Sequence, residues 1–300
     1  MYQTTAASVE RQVTIRSAVL DYLVLIKPGI VALVLVSTLG GMYIAQKGLP
    51  ATPLVFWSLV GIALSTAGAA TLNNFIDRDI DTIMRRTSGR PLPSGSITPK
   101  MALVIGLVTS ALSVVVFAKY VNMMAMFLST AAIFIYAIPY TLLSKRVTPL
   151  ATFIGGVGGA LPPVIGYAAV KPGLDVVAFT LFLIIFAWQH PHFWALALKY
   201  RDEYASAGVR NLPVARGVLE TKKQILVWAS LLAMVSTLPF IIGVAGKAYL
   251  ACAMVSGVVF VAMSLWFLRS SRPVAMCLFH YSIVHLPLLF TVMVVDIIKS

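Results

Sequence analysis

Nine stretches of this chain are each long and apolar enough to cross a lipid bilayer, and they restrict the fold more than any other feature. A spanning helix needs roughly 17–25 predominantly apolar residues. The runs lie at about 22–45, 52–75, 101–118, 122–143, 150–170, 175–198, 224–245, 248–268 and 274–296. In hydrocarbon each backbone N–H and C=O must be bonded within the segment, as an α-helix does. The first run is too long for a signal-peptide core and lacks a clear cleavage site, so it reads as a retained span. The expected architecture is all-α and polytopic, with about nine transmembrane helices. Residues 1–21 form a cytoplasmic N-terminal segment and residues 22–300 a single transmembrane domain.

The charges support that division. The chain is 59% hydrophobic and 11% charged, where a soluble domain is nearer a quarter charged. No room remains for a sizeable soluble domain. A net charge of +13 invites a nucleic-acid reading, but 18 of the 23 lysines and arginines fall on one side of the alternating spans. Such a bias marks the cytoplasmic side. It puts the N-terminus and the loops 76–100 and 199–223 in the cytoplasm, and it fits a prokaryotic plasma membrane. Cys252 and Cys277 lie in apolar runs and suggest neither a disulfide framework nor a metal site.

Carboxylates at a membrane boundary are costly and mark function. Asn73, Asp77 and Asp81 stand where the second apolar run meets a basic stretch. Spaced by four, they share one helix face, and Asp79 falls nearly opposite. Two hard oxygen ligands on one face suit Mg²⁺ bridged to a phosphate-bearing substrate. Arg85, Arg86 and Arg90 follow, and arginine suits bidentate phosphate contacts. The bland alternative is an interfacial salt-bridge network. The second cluster is Lys199, Arg201, Asp202 and Glu203, four spans later. On a helix continuing from the sixth span, His192, Leu196, Lys199 and Glu203 share a face. Asp202 or Glu203 would hold metal and Lys199 would meet phosphate; the alternative is a Lys199–Glu203 pair spaced by four. The even placement of the two clusters suggests a four-span pseudo-repeat that brings them together. Gln189, His190 and His192 lie inside the sixth span, with Pro191 between the histidines. They offer iron ligation, proton transfer or acceptor contact, against ordinary interhelical hydrogen bonding. His280 and His285 lie in the ninth. The glycines from Gly155 to Gly159 lack the Lys-Ser/Thr of a nucleotide loop and read as close helix packing.

These residues together resemble the UbiA-type intramembrane prenyltransferases, and within them the haem O synthases. The likeness runs from about Tyr22 to Asp296. Asn73 to Asp81, with Arg90-Pro91-Leu92, looks like the first aspartate motif. Tyr140-Thr141 with Lys145-Arg146, and Gly155-Gly156 to Pro162-Pro163, resemble the fourth-loop and fifth-span signature. His192-Phe193-Trp194 through Asp202-Glu203-Tyr204 and Leu212-Pro213-Val214 is similar to the stretch peculiar to haem O synthases. Relatives acting on quinone precursors carry an Asp-x-x-x-Asp where Tyr200 and Tyr204 stand here.

The resemblance implies a helix bundle whose central cavity is capped by two cytoplasmic loops. It implies that Mg²⁺, held by Asp77 and Asp81 with Asp202 from the second loop, draws charge off farnesyl diphosphate. Arg85, Arg86, Arg90 and Lys199 would stabilise the departing pyrophosphate, with Asn73, Lys145, Arg146, Glu203 and Tyr204 contacting substrate. A vinyl group of haem B would attack the farnesyl cation, and His190 or His192 would orient the haem. A haem A synthase or a terminal-oxidase assembly factor is the implied partner, with membrane lipid around the protein and no nucleic acid. Two rivals stand beside this reading. One is a prenyltransferase acting on a quinone precursor or other lipid-soluble acceptor. The other is a cation-dependent transporter, which would also place polar residues within the membrane.

Overall fold

The computed structural model describes residues 15–270 and 274–299. Among them are nine helices long and apolar enough to cross a membrane. Residues 1–14 of the expected N-terminal segment lie outside the described residues. The chain enters through a short helix, α1 (Ile15–Ile26), and then forms α2 (Pro28–Gln46), α3 (Thr52–Ile76), the short α4 (Arg78–Ile83) and α5 (Pro99–Tyr120). The fourth span begins as α6 (Met123–Ile135) and ends as a π-helical segment, Tyr136–Ser144, with Pro139 inside it. The fifth is broken into α7 (Ala151–Gly159) and α8 (Pro162–Val170). Then come α9 (Val176–Lys199), the short α10 (Arg201–Ser206), α11 (Leu212–Val235) with the brief α12 (Leu238–Ile241), α13 (Lys247–Arg269) and α14 (Ala275–Lys299).

Helix ends follow local chemistry. Thr98, Asn122, Asp175 and Asn211 each accept a hydrogen bond from a backbone N–H in the first turn that follows. These side chains satisfy donors that a helix leaves open. Pro28, Pro99 and Pro162 open their helices, where the missing N–H costs nothing.

Three boundaries differ from the sequence expectation. The first apolar run, 22–45, is not one helix. Lys27 takes a left-handed conformation (φ 55°) before Pro28, so α1 turns aside and the span starts at Pro28. A residue preceding proline is disfavoured in the right-handed helical region, which explains the break. At the seventh span, expected at 224–245, the chain is helical from Leu212, kinks at Gly217 (φ 79°, ψ 176°), and continues to Val235 and the brief α12. Its first turns carry Arg216, Glu220, Lys222 and Lys223, so hydropathy alone misplaces its start. The sixth span does not continue as one helix to Glu203: the backbone breaks at Tyr200 (φ −103°, ψ 22°), and α10 is separate.

Successive spans neighbour one another around the bundle, and α14 returns to touch α2. The fifth span lies inside: every residue from Pro162 to Ala169 is buried. Between apolar helices in lipid, attraction comes from close contact and interhelical hydrogen bonds. Both are visible here. A Cβ on Gly41 would stand 2.0 Å from the Pro163 carbonyl oxygen, and one on Gly166 would stand 2.0 Å from that of Thr38. Thus α2 and α8 touch backbone to backbone. Gly158 approaches the Ala132 carbonyl and Gly155 the Tyr140 ring, so the glycine run is a packing surface. The Gln189 amide donates to the Gly156 carbonyl at 3.0 Å, and the Ser113 hydroxyl to that of Gly61 at 2.9 Å. Large apolar side chains such as Phe56, Val115, Phe127 and Val258 face outward, where lipid would meet them.

Gly41→Ala and Gly166→Ala are each expected to destabilise the bundle by about 1–3 kcal/mol through overpacking. Thermal unfolding in detergent should show both with lowered Tm. Gly48→Ala, with no atom within 4 Å of the added carbon, should unfold as the parent does.

Candidate active site

The second span ends on two asparagines followed by the aspartates, and all four side chains turn inward. Asn73, Asn74, Asp77 and Asp81 are buried, the aspartates to 1% exposure. Although α3 stops at Ile76, the Asp81 N–H still donates to the Asp77 carbonyl at 2.9 Å, so the face continues through the junction. Asp79 points away, exposed, and forms a two-pronged ion pair with Arg146 at 2.6 Å. That guanidinium holds the Asp79 carboxyl below the usual carboxylate range, against the opposing effect of partial burial.

Each buried carboxylate has its own cation. Lys145, just beyond the π-helical segment, meets Asp77 Oδ2 at 2.5 Å, and Asn73 Nδ2 donates to the same oxygen at 2.8 Å. Arg90 meets Asp81 Oδ2 at 2.7 Å and reaches Asn74 Oδ1 at 3.3 Å. Thr141 joins from the π-helical segment, its Oγ1 3.2 Å from Asn73 Nδ2. A third cation was not anticipated from sequence. Lys27 donates from Nζ to Asn73 Oδ1 at 2.7 Å. Its charge looked topological, yet one signal was present: it is a lysine lying within the first apolar run. Burial, with the nearby Arg90 and Lys145 charges, brings Lys27 down to about 7, while Asp77 and Asp81 pull it back up in part.

The second loop arrives over this cluster. The Arg86 N–H donates to Glu203 Oε2 at 3.1 Å, and the Arg86 guanidinium lies 5.2 Å from the Tyr200 ring centre. Lys199 is 5.2 Å from the same ring. Ile80 and Met84 from the first loop pack with Ala207 and Val209 from the second, and Tyr204 lies against them. The two loop clusters are therefore in contact. Arg85 and Asp202 are exposed. Among the described residues no group of three or more His, Cys, Asp or Glu is spaced to hold a metal ion, so Asp202 does not join Asp77 and Asp81 as a preformed third ligand.

A divalent ion nevertheless suits what is there. Asp77 Oδ1 is buried and has no hydrogen-bond partner among the described residues. A carboxylate oxygen sealed from water and left open is expensive unless something binds it. Mg²⁺ typically takes one or two carboxylates and completes its shell with phosphate oxygens and water. Asp77 and Asp81 would hold it, with Lys27, Lys145 and Arg90 around the phosphates. The acids stand at the end of α3 rather than midway along a span, which disfavours a transport pathway through the bilayer.

The histidines separate. His190 and His192 are two residues apart on α9 and so face different neighbours. His190 is fully buried among Phe153, Phe186, Trp194 and Trp228. His192 is half-buried, stacked on Trp188 and Phe279, and bonded through Nδ1 to Ser282 Oγ at 2.7 Å. His285 is buried and His280 exposed.

Comparison with known proteins gives the family and the fold. The model of the UbiA prenyltransferase family matches residues 34–283. A protein of Aquifex aeolicus named protoheme IX farnesyltransferase is 46% identical, over 95% of this chain and 97% of its own length. The fold is similar to a solved digeranylgeranylglyceryl phosphate synthase (TM-score 0.79, 19% identity, 94% of this chain and 99% of that one). It is also similar to a UbiA homologue from Archaeoglobus fulgidus solved with DMAPP and Mg²⁺ (TM-score 0.62, 18% identity, 91% of this chain and 99% of that one).

A diphosphate reaching Lys27 would raise the affinity of its amine for a proton. Binding above about pH 7 should therefore take up a proton, and affinity should fall as pH rises past that point. Calorimetry in two buffers of different ionisation enthalpy reads the uptake, and Lys27→Met is expected to remove it.

Proposed function

Because the chain belongs to the UbiA prenyltransferase family, we propose that it transfers the farnesyl group of farnesyl diphosphate to a vinyl group of protohaem IX (haem B), giving haem O. The observation that carries this reading is a buried Asp77–Asp81 pair met by Lys145 and Arg90, with Lys27 on the adjoining Asn73, in a chain similar along nearly its whole length to protohaem IX farnesyltransferases. That the Archaeoglobus homologue was solved bound to DMAPP and Mg²⁺ supports magnesium as the ion here.

The C–O bond between farnesyl C1 and the diphosphate breaks, and its electron pair leaves with the diphosphate. The vinyl terminus of the haem donates its π pair to the allylic cation. The carbon next to the porphyrin ring is then cationic, and water adds there and loses a proton. Negative charge grows on the leaving diphosphate, and fixed donors aimed at that place do most for the rate. Lys145, Arg90 and Lys27 are such donors, already gathered before substrate arrives. Arg85, Arg86, Arg146 and Lys199 line the outer rim, and Arg86 and Lys199 are steadied over Tyr200. Magnesium held by Asp77 and Asp81 supplies Lewis-acid neutralisation of the diphosphate when bound. Asp202, Glu203 and Tyr204 would bring the second loop's two acids and a phenol to the mouth of the site, where Asp202 would hold the metal through its bound water. The near-complete burial of the aspartates excludes bulk water, which would otherwise capture the cation first.

The charge bias of the loops supports a site on the cytoplasmic side of a prokaryotic plasma membrane. A haem A synthase or a terminal-oxidase assembly factor is the partner that would use the product.

Purified protein in detergent, given Mg²⁺, farnesyl diphosphate and protohaem IX, is expected to yield haem heavier by farnesyl plus water on mass spectrometry. Unmodified haem with diphosphate still released would move the reaction to another acceptor. Asp77→Ala should abolish turnover with the protein still folded, and chelation should do the same reversibly. Arg90→Ala should lower kcat by about a hundredfold or more.

A further inference from the structure

The four histidines differ in whether a ring nitrogen is both free and reachable. His190 Nδ1 lies 2.7 Å from the Phe186 carbonyl oxygen. A carbonyl only accepts, so that nitrogen carries the proton and Nε2 holds the lone pair. Nε2 is sealed from the surface without a partner, under the stacked Trp228 ring. Both ring nitrogens of His285 are likewise sealed and unpartnered. His280 is exposed, and no hydrogen bond among the described residues fixes its ring.

His192 is different. The Ser282 hydroxyl donates its proton to the Phe279 carbonyl at 2.6 Å, so Ser282 Oγ can only accept from His192 Nδ1–H at 2.7 Å. The tautomer is thereby set, and Nε2 presents its lone pair. That nitrogen makes no hydrogen bond among the described residues and, unlike the other two histidines' free nitrogens, is not sealed. Trp188 and Phe279 hold the imidazole plane, with ring centres 4.5 and 4.6 Å away. Trp188 is itself anchored by its indole N–H to the Ser282 carbonyl at 2.7 Å. With Nδ1–H held by Ser282 and the lone pair left on Nε2, the ring is set as a neutral ligand.

Its position fits as well. On α9, Trp188 and His192 meet α14, while Gln189 meets α7. The arc between these contacts carries half-buried His192 and Leu196 and leads to Lys199 at the cytoplasmic end. His192 is seven residues before Lys199, about 10 Å down the same face at 1.5 Å per residue. We propose that His192 Nε2 is an axial ligand to the iron of the protohaem substrate, held in register by Ser282. This rests on the reading of protohaem as acceptor. An imidazole whose other nitrogen donates to a fixed acceptor is the usual form of a metal-ligating histidine.

The test titrates the full chain in detergent with ferric protohaem IX, read by optical and EPR spectra. The wild type should show an imidazole-ligated haem. His192→Ala should lose that signature, raise the KM for protohaem, and regain the signature when free imidazole is added. Its affinity for metal-free protoporphyrin IX should match the wild type. Ser282→Ala should keep the signature and weaken haem affinity by about ten- to a hundredfold. His190→Ala should keep the signature. A folded His192→Ala protein that retains imidazole ligation overturns the assignment, as does a wild-type spectrum without a nitrogen ligand in protein that farnesylates protohaem. Loss of ligation in His192→Ala, in a preparation whose wild type binds protohaem but never farnesylates it, upholds the ligand and removes the acceptor reading instead.

Discussion

The arrangement turns on two carboxylates that have been taken out of water. Burying an ionised carboxylate costs several kcal/mol unless cations and hydrogen bonds meet it, and removing one partner of such a pair costs about 3–5 kcal/mol. Asp77 and Asp81 are met from four directions: Lys145 behind the fourth span, Arg90 from the first loop, Asn73 within α3, and Lys27 through Asn73 from the start of α2. Each contact fixes an element that would otherwise be free to shift. The first loop is drawn in by Arg90 and α1 by the Asn74 amide on the Leu25 carbonyl. Leu25, Leu92, Ile97 and Ala102 then pack together behind them. Lys27 accepts a left-handed backbone, a strain of about 1–3 kcal/mol, and its hydrogen bond to Asn73 offsets part of that.

The same cations have a second partner in view. While the diphosphate is absent they neutralise the aspartates. On the proposed reading a divalent ion would take the carboxylates, and Lys145 and Arg90 would be released from charge pairing without having to move far. A site assembled this way needs little reorganisation at the moment of reaction, which is the condition under which electrostatic stabilisation is most effective. The packing beneath serves this. The glycine contacts of α2 and α8 let the inner span sit close enough for the ring around it to close.

What the sequence revealed followed from signals that do not depend on tertiary context. Nine apolar runs became nine spanning helices, because length and hydropathy are one-dimensional properties. The four-residue spacing put Asn73, Asp77 and Asp81 on one face and excluded Asp79, because helix phase is local. Where the backbone departs from ideal, the signal was missing. Tyr200 breaks α9 without proline or glycine, so a shared face running from His192 to Glu203 could be drawn on paper and not built. Lys27 reads as one more cytoplasmic charge until the turn at Pro28 carries it to Asn73. The two histidines of the sixth span looked interchangeable, since only their surroundings distinguish a sealed nitrogen from an open one.

The π-helical end of the fourth span carries a last consequence. Lys145 donates its backbone N–H to the Tyr140 carbonyl, five residues back, and the Thr141 hydroxyl reaches the Tyr136 carbonyl. The hydrogen bonds of such a segment reach one residue further back than those of an α-helix, and it often sits beside functional groups. One residue is about 100° of helix, so relaxing the segment to α register would swing Lys145 away from Asp77 and Thr141 away from Asn73 together. Chain length between Tyr136 and Ser144 is thus as much a part of the site as any side chain in it. Substitutions there can be graded by size and polarity. Insertions and deletions cannot, because each one re-aims a positive charge.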